Sequence, residues 1–91
     1  MSWFLSDQKQ QWYVYILLCA DQTLYTGVTT DPIRRLKEHN ESNRLGAKYT
    51  RVRRPVEMVY QELSDSRSSA CQREAAIKKL SRKAKQALLS A

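Results

Sequence analysis

The sequence predicts an α+β domain, a small antiparallel sheet with helices packed on it, and three observations lead there. Two apolar, β-prone runs, Trp12 to Cys19 and Thr23 to Thr29, are separated by only Ala20-Asp21-Gln22. Two later segments open on helix-capping residues, at Asp31-Pro32 and at Ser64-Asp65-Ser66. Between them Val56 to Leu63 starts as an alternation of apolar and polar residues. The resulting order, β-β-α-β-α-α, is that of strands and helices in one layered domain.

Taken in order, Met1 to Gln11 has no periodicity and is expected to be a mobile tail able to dock Trp3, Phe4 and Leu5. The domain is expected to cover residues 12–91. Trp12-Tyr13-Val14-Tyr15-Ile16-Leu17-Leu18-Cys19 is β-branched, aromatic or aliphatic throughout, as suits a strand covered on both faces. Thr23-Leu24-Tyr25-Thr26-Gly27-Val28-Thr29 completes a hairpin. If Ala20 to Gln22 form a three-residue loop, facing positions sum to 42, so Tyr15 lies across from Gly27 and Leu17 across from Tyr25. A two-residue loop would instead put the tyrosines on opposite faces. In the first register both share a face, and Gly27 leaves an open patch beside the Tyr15 hydroxyl.

The first helix begins where Asp31 caps free amides and Pro32 has its φ preset for the first turn, and runs to about Asn40 with Ile33, Leu36 and Asn40 on one stripe. Glu41 to Arg54 reads as a loop with room for one helical turn. Pro55 ends it, and the Val56 to Leu63 strand follows. A long helix spans Arg67 to Leu80, and a basic one continues through Leu89.

The chain carries 16 Lys and Arg against 9 Asp and Glu, a net charge of +7. All but Lys9 of these cations lie beyond residue 33, an asymmetry that suits a polyanionic partner, although solvated basic faces would give it too. No run is long enough to span a bilayer and none resembles a secretion signal, so a cytoplasmic location is the default expectation. Cys19 and Cys71 lack CxxC spacing, and both are expected to be buried free thiols.

Polar residues in apolar places mark the candidate site. Glu74 sits four residues after Ala70 and three before Ile77, on the helical stripe that should face the core. A carboxylate there calls for a partner: an arginine, solvent at a boundary, or a hard divalent cation that prefers oxygen donors. Arg35 and His39 project from one flank of the first helix at i, i+4. On spacing alone the tyrosine pair and His39 also fit plain packing.

Together, Tyr13-Val14-Tyr15, Tyr25-Thr26-Gly27, Arg35, His39 and Glu74 resemble, in order and spacing, the pattern of the GIY-YIG nuclease superfamily. The resemblance spans about Trp12 to Leu80 and is greatest to small stand-alone bacterial members. The first triplet reads Tyr-Val-Tyr in place of Gly-Ile-Tyr, and Thr26 stands in place of Ile. The resemblance implies a three-stranded antiparallel sheet flanked by helices, and hydrolysis of DNA phosphodiester bonds assisted by one divalent cation, Mg2+ or Mn2+. It further implies that Glu74 holds the metal, that Tyr15 is general base with Tyr25 positioning the water or sharing that role, and that Arg35 grips phosphate oxygens. His39 would hydrogen-bond a tyrosine or the phosphate. A tyrosine of ordinary pKa, about 10, is a poor base at neutral pH, so the site would have to favour the phenolate.

Arg44, Lys48, Arg51, Arg53 and Arg54 are expected to grip the nucleic-acid backbone, with Tyr49 stacking on an unpaired base of branched or single-stranded DNA. The basic helix of Arg73, Lys78, Lys79, Arg82, Lys83 and Lys85 is expected to be a solvated face. Two further readings compete: a nucleic-acid-binding module without catalysis, and a nuclease subunit that needs a partner protein. A pure binder has no use for a carboxylate facing its anion, which favours the enzyme.

Overall fold

A computed structural model describes residues 11–90. The expected N-terminal tail lies, but for Gln11, outside them. The described chain runs β1 (Trp12–Leu18), β2 (Leu24–Thr29), α1 (Pro32–Glu41), α2 (Lys48–Arg51), β3 (Glu57–Ser64), α3 (Arg67–Lys78) and α4 (Arg82–Ser90). The three strands form one antiparallel sheet in the order β2-β1-β3. The α+β architecture is therefore the expected one, with α2 as the single turn inside the Glu41 to Arg54 segment.

Strand β1 is central, and its side chains alternate between two buried layers as the uninterrupted apolar run requires. Val14 and Ile16 join Ala70 and Ile77 of α3, all fully buried, with Leu88 and Leu89 of α4 packed against them. Tyr15, Leu17 and Cys19 face the other way, toward Val56, Leu36 and Met58. Each fully buried aliphatic side chain contributes about 1.5–3 kcal/mol, so α3 and α4 clamp one face while α1 closes the other.

The hairpin has the three-residue loop. Cys19 N donates to Thr23 O (2.9 Å), Gln22 takes a φ of 70°, and the register is Tyr15 opposite Gly27 and Leu17 opposite Tyr25. On the β3 side a bulge between Ile16 and Leu17 makes Tyr60 face Ile16 but Met58 face Leu17. That bulge explains why the alternation in Val56 to Leu63 fails midway: Met58 packs in the α1 layer, whereas Val59 and Tyr60 both pack in the α3 layer.

Helix α1 is capped as its sequence suggests, with Arg34 N donating to Asp31 Oδ1 at 3.1 Å. Its C-terminus is held by two side chains. Arg54 donates from Nε to His39 O (2.7 Å) and from Nη2 to Ser42 O (2.9 Å), and Asn40 bonds both the N–H and the C=O of Val56 (2.7 and 2.9 Å).

Two packing expectations are corrected. Ile33 is 85 % exposed, because the buried arc of α1 centres on Leu36 and His39 and the first turn projects past it. Cys71 is exposed, since it follows Ala70, which takes the core-facing position on α3; Cys19 is buried. Among the described residues, no helix is long and apolar enough to cross a membrane.

Candidate active site

Strand β1 carries Tyr15 at its middle, and the ring lies across Gly27 of β2. A Cβ at Gly27 would come within 2.5 Å of Tyr15 Oη and 2.6 Å of Cζ. The expected open patch at Gly27 is therefore occupied by Tyr15 itself: the glycine makes room for the tyrosine, not for a ligand.

At the end of that ring, Tyr15 Oη is hydrogen-bonded to Nε2 of His39 at 2.7 Å. Tyr15 is 1 % exposed and His39 is fully buried, so His39 meets a tyrosine and has no direct access to a phosphate. Behind it, Nδ1 is 3.0 Å from Thr50 Oγ1, and Thr50 is also fully buried. Burial pushes the Tyr15 hydroxyl up to about 12; the adjacent Arg35 guanidinium pulls it down, while Tyr25 and Glu74 add to the rise. Burial and the Arg35 charge hold His39 down at about 4, with Glu38 opposing and Arg54 assisting. Both groups are thus neutral near pH 7.

Arg35 projects from α1 onto this pair. Its Nη1 donates to Glu38 Oε1 (2.8 Å) and to Leu45 O (2.6 Å). Burial disfavours the guanidinium charge, but the bond to Glu38 and the nearness of the Tyr15 hydroxyl outweigh this and raise its pKa. On the outer side, Tyr25 packs edge-on to His39 (centroids 5.4 Å apart) and stacks on Tyr49 (5.7 Å, 23°).

Glu74 comes from α3, which covers the opposite face of the sheet, yet its charge is felt at the Tyr15 hydroxyl. Its carboxylate pairs with Lys78 at 3.3 Å and is 23 % exposed, a boundary position on the α3 stripe with a lysine one turn on as its partner. Neither Arg35 nor a tyrosine holds it. Among the described residues, no group of three or more His, Cys, Asp and Glu could cage a metal ion. A lone carboxylate still fits magnesium or manganese, which keep several waters and share their coordination between one or two carboxylates and substrate phosphates.

The residues expected to grip nucleic acid divide into two sets. Arg44, Lys48 and Arg51 are exposed and make no side-chain bond to the described residues. Arg53 pairs with Asp21 (3.0 Å) and lies 3.8 Å over the Tyr49 ring, while Arg54 is spent on α1 carbonyls and Asn43. Tyr49, between Tyr25 and Arg53, has its ring already engaged. Periodicity gives no hint of Thr50 or Glu38 as parts of the network, because Thr50 meets His39 across a loop and Glu38 enters by pairing with Arg35 and by its charge near His39.

Comparison with known proteins gives the family and the fold. A family model described as the GIY-YIG catalytic domain matches residues 11–87. A UPF0213 protein of Desulfotalea psychrophila is 56 % identical over 83 residues, covering 91 % of this chain and 74 % of its own length. One from Enterococcus faecalis is 51 % identical over 85 residues, covering 91 % and 94 %. The fold matches the solution NMR structure of an E. faecalis protein with a TM-score of 0.62 at 51 % identity, covering 90 % of this chain and 85 % of that one. It also matches that of a UPF0213 protein from Bacillus halodurans, with a TM-score of 0.56 at 45 % identity, covering 88 % and 83 %. With tyrosines, arginine and glutamate arranged as described and nearly the whole chain matched, the protein belongs to the GIY-YIG family, beside small relatives named UPF0213.

Proposed function

We propose that this protein is a metal-dependent endonuclease that hydrolyses phosphodiester bonds in DNA, directed by DNA structure in repair or recombination. The observation that carries the reading is the buried Tyr15 hydroxyl, hydrogen-bonded to His39 at 2.7 Å and lying in the opposing fields of the Arg35 guanidinium and the Glu74 carboxylate. A structural tyrosine needs one hydrogen-bond partner. This one has an imidazole bonded to it and a guanidinium charge acting on it, with the Glu74 charge felt from across the sheet.

In this reading Tyr15 takes the proton of the attacking water, and Arg35 favours the phenolate that does so. Arg35 also has more N–H donors than Glu38 and Leu45 use, which leaves some for phosphate oxygens. Tyr25 positions the water, and His39 fixes the direction of the Tyr15 hydroxyl. Glu74 would hold the divalent cation once Lys78 releases it. When bound, such a cation supplies positive charge to the phosphate and to the departing 3′ oxygen. Arg44, Lys48 and Arg51 carry the nucleic-acid backbone.

Incubating the purified chain with labelled flap, nicked, single-stranded and duplex DNA, with magnesium, with manganese and with chelator, tests the reading. Metal-dependent cleavage that Glu74→Ala abolishes is the expected result. Salt-sensitive binding without cleavage would leave a binding module. Cleavage seen only after a second protein is added would make the chain a partner-dependent subunit.

A further inference from the structure

We infer that Thr50 is a positioning residue: it accepts the Nδ1–H of His39 and so holds the imidazole in the tautomer whose bare Nε2 faces the Tyr15 hydroxyl. The consequence for rate rests on the nuclease reading; the tautomer rests on hydrogen-bond accounting alone.

Each hydroxyl has one hydrogen to give. Thr50 Oγ1 lies 3.0 Å from Ala47 O and 3.0 Å from His39 Nδ1. Ala47 O is an acceptor only, so a Thr50 hydrogen given to it leaves the Thr50 oxygen to accept from Nδ1–H. The buried Tyr15 hydroxyl must also place its hydrogen, and among the described residues its one hydrogen-bond partner is His39. Nε2, at 2.7 Å, is then its acceptor. One direction of donation satisfies the whole chain: Tyr15 to His39, His39 to Thr50, Thr50 to the Ala47 carbonyl.

A competing arrangement is visible. The Ala47 N–H lies 3.4 Å from Nδ1 and could donate to it if that nitrogen were bare. Nε2 would then carry the hydrogen and point it at Tyr15, turning the tyrosine's own hydrogen outward with no acceptor among the described residues. The two tautomers give Tyr15 opposite characters toward a water in the site. With Nε2 bare, Tyr15 presents an oxygen lone pair, as a base must; with Nε2 protonated, it presents a donor. Thr50 selects the first.

The chain holds one histidine, so the imidazole nitrogens can be read without ambiguity. Long-range 1H–15N correlation on the tag-free, 15N-labelled chain at pH 7 should show Nδ1 protonated and Nε2 bare. Thr50→Val, which keeps the shape and removes the acceptor, should move the hydrogen to Nε2 and lower cleavage roughly tenfold or more, within the usual scale for an acid–base group. Thr50→Ser should restore both the tautomer and most of the rate. Nε2–H in the unsubstituted protein, or Thr50→Val with an unchanged tautomer and rate, would overturn the inference. The spectrum of the unsubstituted chain decides the tautomer even if Thr50→Val fails to fold. Absence of cleavage by the unsubstituted chain refutes the nuclease reading and leaves the spectrum to judge the tautomer.

Discussion

At neutral pH the Tyr15 and His39 side chains share a hydrogen bond as two uncharged groups, and moving a proton from one to the other is costly. Burial holds the Tyr15 hydroxyl up at about 12 and the His39 imidazole down at about 4, so each favours its neutral form. The phenolate is therefore scarce, and cleavage by the proposed base should rise about tenfold per pH unit from about pH 6 to 9. Tyr15→Phe, which keeps the ring over Gly27 but leaves the buried His39 Nε2 without its donor, should fold with about 1–3 kcal/mol less stability and lower cleavage about 10²-fold or more, flattening that profile. An equal rate in the phenylalanine variant would make Tyr15 a packing residue. His39 makes a separate prediction for stability. Its folded pKa lies below the unfolded value of about 6.5, so the unfolded chain binds a proton first as pH falls. Stability should be level above about pH 6.5, fall by up to about 3 kcal/mol between about pH 6.5 and 4, and stop falling on this account below that. Urea titrations of the parent and His39→Gln across this range measure the difference. Gly27→Ala should lower both stability and cleavage, because its methyl group needs the space of the Tyr15 hydroxyl and Cζ. Overpacking of this kind costs about 1–3 kcal/mol.

Between α1 and β3, cations that look alike in sequence play different parts. Arg54 ties the last turn of α1 to the segment that follows, satisfying carbonyls a helix C-terminus leaves open. Arg53 joins the hairpin tip to the α2 segment through Asp21 and Tyr49. Changing Arg44, Lys48 and Arg51 together to Ala should leave folding intact and reduce the slope of log affinity for DNA against log salt by up to about three. Arg54→Ala should do the reverse: little change in slope and a loss of about 1–3 kcal/mol of stability, as for buried acceptors left without a donor. Salt titrations and thermal melts on the same preparations separate the two groups.

Across the whole molecule, the part of the site built on strands is legible in the sequence and the part built on loops is not. A period of two narrows Tyr15, Leu17, Tyr25 and Gly27 to two registers, one for a three-residue loop and one for a two-residue loop, and the fold takes the three-residue one. Arg35 and His39 follow from helical spacing. Thr50 and the partners of Arg53 and Arg54 cannot be read this way, because their contacts depend on how residues 42–56 fold back over α1, and no repeat governs that path. Glu74 falls between the two cases. Its stripe is readable, but it lies at the boundary, where an exposed i, i+4 pair with Lys78 is worth only about 0.3–0.5 kcal/mol. Glu74→Ala should accordingly cost less than about 1 kcal/mol, leave or improve DNA affinity in chelator, and abolish metal-dependent cleavage. A large loss of stability with cleavage retained would make it a structural carboxylate.

The fit of the Tyr15 ring across Gly27 also bears on how the hairpin finds its alignment. Every other position on β2 carries a Cβ, so a slip of two residues, which would keep the same faces inward, would set Tyr15 against Tyr25 or Thr29 in place of the glycine. The ring would have nowhere to lie, and the hydroxyl could not reach His39. A slip of one residue would turn Tyr15 and Leu17 toward α3. The glycine that makes space for the proposed base is thus also a gauge for strand pairing: a misaligned hairpin excludes the very side chain that gives the site its chemistry.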